Sequence, residues 1–221
     1  MKRVAIIPAR MGSQRLPKKN LVNFLGMPLV EFAIKRCQQA NCFDQIVVNS
    51  EDIALKDISA RNGVEFYHRQ PELANNESTS EDFIADYFAK TGTELLFQVH
   101  SITPLLKPET IRDFVEYCLT SDFDTVLSNV EDNIEVSYKN QPVNFTYAAK
   151  TNSQDLKPIQ RVTWSITYWK RDTFLERHHN EKCGTYSGKI GYFTVPLYSG
   201  LAIKTRNDLE VAQLLREKEI A

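Results

Sequence analysis

Neither sign of charge is in excess in this 221-residue chain: 27 Lys and Arg stand against 28 Asp and Glu, a formal net charge of -1. That balance gives no bulk electrostatic support for a nucleic-acid or membrane-surface role. Long apolar runs are also missing, and none approaches the ~20 residues of a membrane span. The opening stretch, Met1-Lys2-Arg3-Val4-Ala5-Ile6-Ile7-Pro8, has too short an apolar run for a signal peptide, so the expected location is the cytoplasm. Cysteine is scarce and scattered, at 37, 42, 118 and 183. Cys37 and Cys42 have no second Cys or His pair to complete a zinc site, and free thiols in a reducing compartment fit the spacing. Repeats and low-complexity linkers are absent. So are the Walker A spacing and the glycine triplet of a dinucleotide fingerprint.

The composition that is present is that of an ordinary soluble protein. The length favours one domain over 1–221, and a chain of this size buries roughly 70% of its unfolded surface. Residues 4–7 form a short apolar, β-branched run that reads as a buried first strand. Helical spacing follows over 28–40, then a strand over 45–49, a helix over 52–62 and a strand over 64–67. A helix over 79–90, capped by Thr79 or Ser80, precedes a strand over 94–99. A helix over 108–119 and a strand over 125–129 complete five alternations. This pattern predicts an α/β, Rossmann-like, mainly parallel sheet with helices on both faces. Ligands of such sheets bind beyond the carboxyl ends of the strands. Residues 131–156 are polar and aperiodic, and read as an excursion, a β-arm or a dimer contact. Later strands are expected at 166–169 and 192–195. A closing amphipathic helix is expected over 207–218, capped by Asn207 or Thr205.

The sharpest local feature follows the first strand: Ala9-Arg10-Met11-Gly12-Ser13-Gln14-Arg15-Leu16-Pro17-Lys18-Lys19-Asn20. Gly12 permits close backbone approach or a positive φ. Backbone N–H groups in such a turn form an anion nest. Arg10, Arg15, Lys18 and Lys19 place four cations on one loop, which suits a triphosphate as its leaving group develops charge. A solvated basic loop is the plainer reading of the same charges.

The whole string resembles the A-R-x-G-S-x-R-L/I-P-x-K-N signature of the acylneuraminate cytidylyltransferases, and Asn20 is similar to the sialate branch. The resemblance continues through Ser50-Glu51-Asp52, Arg69-Gln70-Pro71-Glu72-Leu73-Ala74, Ser101-Ile102-Thr103-Pro104-Leu105, Gln154-Asp155-Leu156-Lys157-Pro158 and Thr205 with Asp208-Leu209-Glu210. It implies a fold of the nucleotide-diphospho-sugar transferase type. It also implies transfer of CMP from CTP to a 2-keto-3-deoxy sugar acid such as a sialic acid-like nonulosonate. Arg10, Gly12, Ser13, Asn20, Arg69, Ser78 and Ser80 are then nucleotide-binding residues, with Arg15 and Lys19 on phosphate charge. Helix capping is the competing role for Ser78 and Ser80. The acceptor side falls to His100, Arg161, Thr163 and Thr167. A structural histidine and an ion-paired arginine are the plainer readings of His100 and Arg161. The resemblance further implies a homodimer, with 131–160 as a small protruding dimerisation or sugar-site segment. CTP and an acidic sugar are the expected partners.

Two departures bear on chemistry. Where the family carries a carboxylate pair that holds Mg²⁺, this chain has Leu201-Ala202-Ile203-Lys204-Thr205. Ala202 and Lys204 cannot ligate a hard cation. No metal-ligating residue is therefore assigned, Mg²⁺ is expected to arrive mainly on CTP, and Lys204 places a fixed positive charge at that position. A family N-G-A-I-Y becomes Thr163-Trp164-Ser165-Ile166-Thr167, which puts a bulky ring into the acceptor region. An active enzyme, an impaired relative that binds CTP or CMP-sugar as a sensor or partner subunit, and an enzyme for a different acid all fit these changes.

Overall fold

The structure is a computed structural model, and it describes residues 1–180 and 182–220. Strand β1 (Arg3–Pro8) is followed by a small hairpin, β2 (Asn23–Phe24) and β3 (Met27–Pro28), and by helix α1 (Leu29–Ala40). Next come β4 (Gln45–Ser50), α2 (Ala54–Arg61), β5 (Glu65–His68), α3 (Ser80–Thr91), β6 (Leu95–Val99), α4 (Pro108–Thr120) and β7 (Thr125–Asp132). A second hairpin, β8 (Ser137–Tyr138) and β9 (Gln141–Pro142), precedes β10 (Ile159–Lys170), α5 (Arg171–His179), β11 (Ile190–Thr194) and α6 (Arg206–Glu217).

Seven strands form one sheet in the order β11-β7-β10-β6-β1-β4-β5. All neighbours are parallel except β10, which runs antiparallel to both β6 and β7. The alternation within each strand sorts side chains onto two covered faces. Ala5 and Ile7 of β1 and Phe97 and Val99 of β6 meet Val30, Ile34, Ile111 and Phe114 of α1 and α4. Val4, Ile6 and Leu96 face the other way, onto Phe83, Ile84 and Phe88 of α3 and Phe174 of α5. Helix α6 closes a third cluster through Leu209, Ala212, Leu29 and Phe24. No described helix is long and apolar enough to cross a membrane.

The chain leaves β1 toward β4 and β5, then returns to lay β6 on β1's other side. The boundary between β1 and β6 is thus a topological switch point. Helices α1 and α4, which follow β1 and β6, share one face, and the crevice at the strands' carboxyl ends opens on the other, toward α3. Helix α3 starts beside that crevice. Its cap is Thr79, whose backbone N–H donates to Asp82 at 2.6 Å, and Ser80 is its first helical residue. Helix α6 has the same arrangement at Thr205 and Asp208, so Asn207 lies inside the helix and is not its cap. Residues 131–156 hold the β8–β9 hairpin, one of the forms expected for the excursion.

Candidate active site

The loop after β1 is held from three sides by hydrogen bonds to its backbone groups and to the Asn20 side chain, none of which uses the Arg15 or Lys19 side chain. Met11 N–H donates to Glu51 at 2.8 Å. The Ser50 hydroxyl donates to Ala9 O at 2.8 Å. Asn20, 6% exposed, donates its amide to Arg10 O at 2.8 Å and accepts the Ser101 hydroxyl at 2.6 Å. Arg10 crosses to the opposite wall, where Nη1 donates to Asn75 O at 2.5 Å.

These bonds frame a cleft of about 410 Å³ over the carboxyl ends of β1, β5 and β6. Arg10, Ser13, Arg15, Lys19 and Asn20 line one side. Arg69, Ser78, Ser80 and the start of α3 line the other, and His100 and Ser101 close the end. No Asp or Glu is among the described lining residues, whereas Arg10, Arg15, Lys19 and Arg69 all are. The Lys19 ammonium is held below its ordinary pKa, first by burial and then by Arg15, Lys204 and Arg10. Like charges gathered in a half-buried cleft are unfavourable until an anion joins them.

Arg69 forms part of the floor. It is 2% exposed, pairs with Glu51 at 3.2 Å and lies over the Phe83 ring at 4.7 Å. Its Nε has no partner. A buried, unsatisfied guanidinium donor is costly unless a ligand completes it. His100 is half-buried, and burial followed by the Lys19 charge pushes its pKa down to about 4. Its Nε2 meets the Gln98 amide nitrogen. A neutral imidazole that accepts there keeps Nδ1–H as a donor.

A family model, described as cytidylyltransferase, matches residues 4–214. The chain belongs to the cytidylyltransferase family. Among curated relatives it is 29% identical over 218 residues to the N-acylneuraminate cytidylyltransferase of Streptococcus agalactiae, covering 94% of this chain and 52% of that one. It is 24% identical over 238 residues to the pseudaminic acid cytidylyltransferase of Campylobacter jejuni, covering 97% and 96%. The chain thus spans about half the length of the streptococcal relative. Among solved structures, CMP:2-keto-3-deoxy-manno-octonic acid synthetase complexed with CTP superposes with a TM-score of 0.73 at 16% identity, covering 99% of this chain and 100% of that one. The 4-diphosphocytidyl-2C-methyl-D-erythritol synthase of Anaerococcus prevotii gives 0.70 at 14%, covering 98% of each. At such identities these superpositions speak for the fold: the nucleotide-diphospho-sugar transferase arrangement, with a mainly parallel sheet between helices.

Within this cytidylyltransferase-family chain, five residues expected at the site lie outside the cleft lining. Gly12 has neither a positive φ nor a crowded Cβ position; a methyl there meets nothing within 4 Å. Lys18 takes the left-handed conformation instead, at φ 49°. Thr163 and Thr167 are buried, because β10 lies inside the sheet between β6 and β7. Thr163 shares a hydrogen bond with Ser128 at 3.1 Å, and the Thr167 hydroxyl has no partner. Arg161 is exposed and paired with Asp132 at 2.7 Å, so the plainer reading of this arginine describes its position. Lys204 is exposed, yet close enough to Lys19 to lower that amine's pKa.

The described residues do not by themselves form a cage for Mg²⁺. Among the described residues no cluster of three His, Cys, Asp or Glu could hold a metal ion. The nearby Asp208 carboxylate is already engaged, accepting the backbone N–H groups of Lys204 at 2.9 Å and Thr205 at 2.7 Å.

Sequence reasoning passed over Glu51 and Phe83. Glu51 ties β4's end to both Met11 and Arg69; its signals in the sequence are the Ser50-Glu51-Asp52 segment and an acid directly after a buried strand. Phe83 reads as an ordinary apolar helix position. Trp164 lies in the irregular stretch of β10 between Val162 and Thr167, at φ 59°. That conformation is one glycine adopts freely and a bulky residue adopts only under strain.

Proposed function

We propose that the chain transfers CMP from CTP to the anomeric hydroxyl of a 2-keto-3-deoxy sugar acid. The hydroxyl oxygen bonds to the α-phosphorus, the bond from that phosphorus to the bridging oxygen breaks, and pyrophosphate leaves with the displaced electron pair. The hydroxyl proton passes to solvent. The observation that carries this reading is the cation-only cleft at the switch point of a chain from this family.

In this reading Arg15 and Lys19 hold the phosphates and neutralise the leaving pyrophosphate. Arg10 and Ser13 contact the triphosphate and ribose, and Asn20 fixes their loop. Arg69, with its unpartnered Nε over Phe83, meets the cytosine edge together with Ser78 and Ser80. His100, neutral at pH 7, donates Nδ1–H to an acceptor hydroxyl. Lys204 supplies standing positive charge at the position of the relatives' carboxylates, and Mg²⁺ arrives on the nucleotide. Relatives named for N-acylneuraminate, pseudaminic acid, 3-deoxy-manno-octulosonate and N,N'-diacetyllegionaminic acid support an acceptor of this acidic-sugar class. Exposed Ile134, Tyr138, Val143 and Tyr147 on the 131–160 excursion support a homodimer built through that segment. The cytoplasm, where CTP is made, is the proposed location.

The test is pyrophosphate release from CTP with each of those four acids in turn. Release with at least one supports the enzyme. CTP binding without release from any of them favours the sensor reading.

A further inference from the structure

A second cavity, of about 220 Å³, lies behind the turn that follows β6, between α1, α6 and the start of α4. Phe32, Leu105, Leu106 and Pro108 give it an apolar wall. Lys35, Arg36, Lys107 and Arg216 give it a cationic one, with no Asp or Glu among the described lining residues. In a chain with net charge -1, four cations around one small cavity are a local choice and not a reflection of bulk composition.

Arg36 is the feature that calls for a ligand. It is 3% exposed. Its Nη1 donates to Thr103 O at 2.5 Å and Leu106 O at 3.0 Å, and its Nη2 donates to His100 O at 3.3 Å. Its guanidinium carbon lies 5.6 Å from the Phe32 ring centroid. These hydrogen-bond partners are neutral backbone carbonyls, and Nε has none. Burial lowers its pKa to about 10, so it stays charged at neutral pH. A buried guanidinium with a spare donor is completed best by a carboxylate or phosphate.

We propose that this cavity is a second ligand site, for a small anion with an apolar body, and that its occupant acts on the nucleotide cleft through Arg36. The space suits one ring and one anionic group, given that a cavity of ~150 Å³ takes benzene. Lys35 and Lys107 stand at its edge and draw the anion in. On its far side Arg36 holds the turn whose residues His100, Ser101 and Ile102 line the first cleft. The His100 O contact is the longest of the three, so an anion that pulls on the guanidinium loosens it first. This second half of the proposal rests on the CTP reading of that cleft.

The experiment uses the full chain, calorimetry and phenyl phosphate as probe, with inorganic phosphate and benzyl alcohol as the two partial ligands. Phenyl phosphate is expected to bind more tightly than either. Its affinity should survive Arg15→Glu in the nucleotide cleft and fall about tenfold or more in Lys35→Glu/Lys107→Glu. Both lysines reach solvent, and an unchanged melting temperature verifies that the double variant folds. No binding up to about 10 mM, equal binding of inorganic phosphate, or loss in Arg15→Glu alone overturns the site. For the coupling, saturating phenyl phosphate should weaken CTP binding about threefold in the parent chain and not in the double variant. CTP affinity that stays constant overturns it. A chain that takes phenyl phosphate but not CTP overturns the cytidylyltransferase reading, and the coupling with it, while the pocket stands.

Discussion

The Ser101 hydroxyl donates to the Asn20 side-chain oxygen at 2.6 Å and so joins the loop after β1 to the turn after β6. The two residues lie 81 positions apart in the chain, and this buried bond fastens one wall of the cleft to its closed end. Asn20→Ala removes it together with the Asn20 bond to Arg10 O. The expected cost is about 1–3 kcal/mol of stability, read by urea unfolding, because a buried hydroxyl and carbonyl lose their partner. CTP affinity should fall in parallel. A variant unchanged in both would show that the loops are held by other contacts.

Arg15→Ala and Lys19→Ala should each lower kcat/KM for pyrophosphate release by about 10²–10³-fold, the scale of losing one preorganised charge at a developing anion. Lys204→Asp should do something different. It places a carboxylate where the resemblance puts the family's metal-holding acid, so the rate should rise with Mg²⁺ over a lower concentration range than in the parent chain. A metal titration that does not move would remove Lys204 from that role.

Acid should destabilise the protein through His100. Its folded pKa, about 4, lies below the ordinary histidine value, so between roughly pH 6.5 and 4 the unfolded chain binds the extra proton. Stability is complete above that window and is lost as pH falls through it. Unfolding free energies at pH 7 and pH 5 should differ less in His100→Gln than in the parent, by on the order of 1–2 kcal/mol. The same variant should keep CTP binding, because no step asks His100 to accept a proton. An identical pH dependence in both proteins contradicts the burial argument.

Trp164→Gly should relieve the left-handed backbone at that residue, a strain on the order of 1–2 kcal/mol, offset by the loss of the ring's contact with Tyr186. CTP affinity should not change, since Trp164 does not line the nucleotide cleft. The range of accepted sugar acids should widen. An unaltered acceptor profile would remove Trp164 from the acceptor pocket.

The phosphate side of the site is legible in the sequence because its chemistry is charge, and its charges fall on one continuous loop from Arg10 to Lys19. The strands β1, β4 and β6 are legible because both faces are covered, which leaves short apolar runs. Strand β10 was mostly hidden. Its first residues, Ile159-Gln160-Arg161-Val162, are polar or partly exposed and carry no strand signal, so only 166–169 stood out. Helix α5 buries Phe174 alone, too little for a helical period to show. Thr163 and Thr167 are placed on the acceptor side by resemblance to a glycine-bearing strand. The irregular stretch at Trp164 redirects those positions, and Thr163 and Thr167 end up in the interior. The Arg36 cavity is assembled from α1, α6 and the turn after β6, and no local pattern announces it.

The decisive experiment is a crystal structure with bound CTP. A triphosphate within hydrogen-bonding distance of Arg15 and Lys19, with cytosine beside Arg69, is the expected result. A nucleotide bound elsewhere, or a loop from Arg10 to Lys19 left empty at saturating CTP, would contradict it.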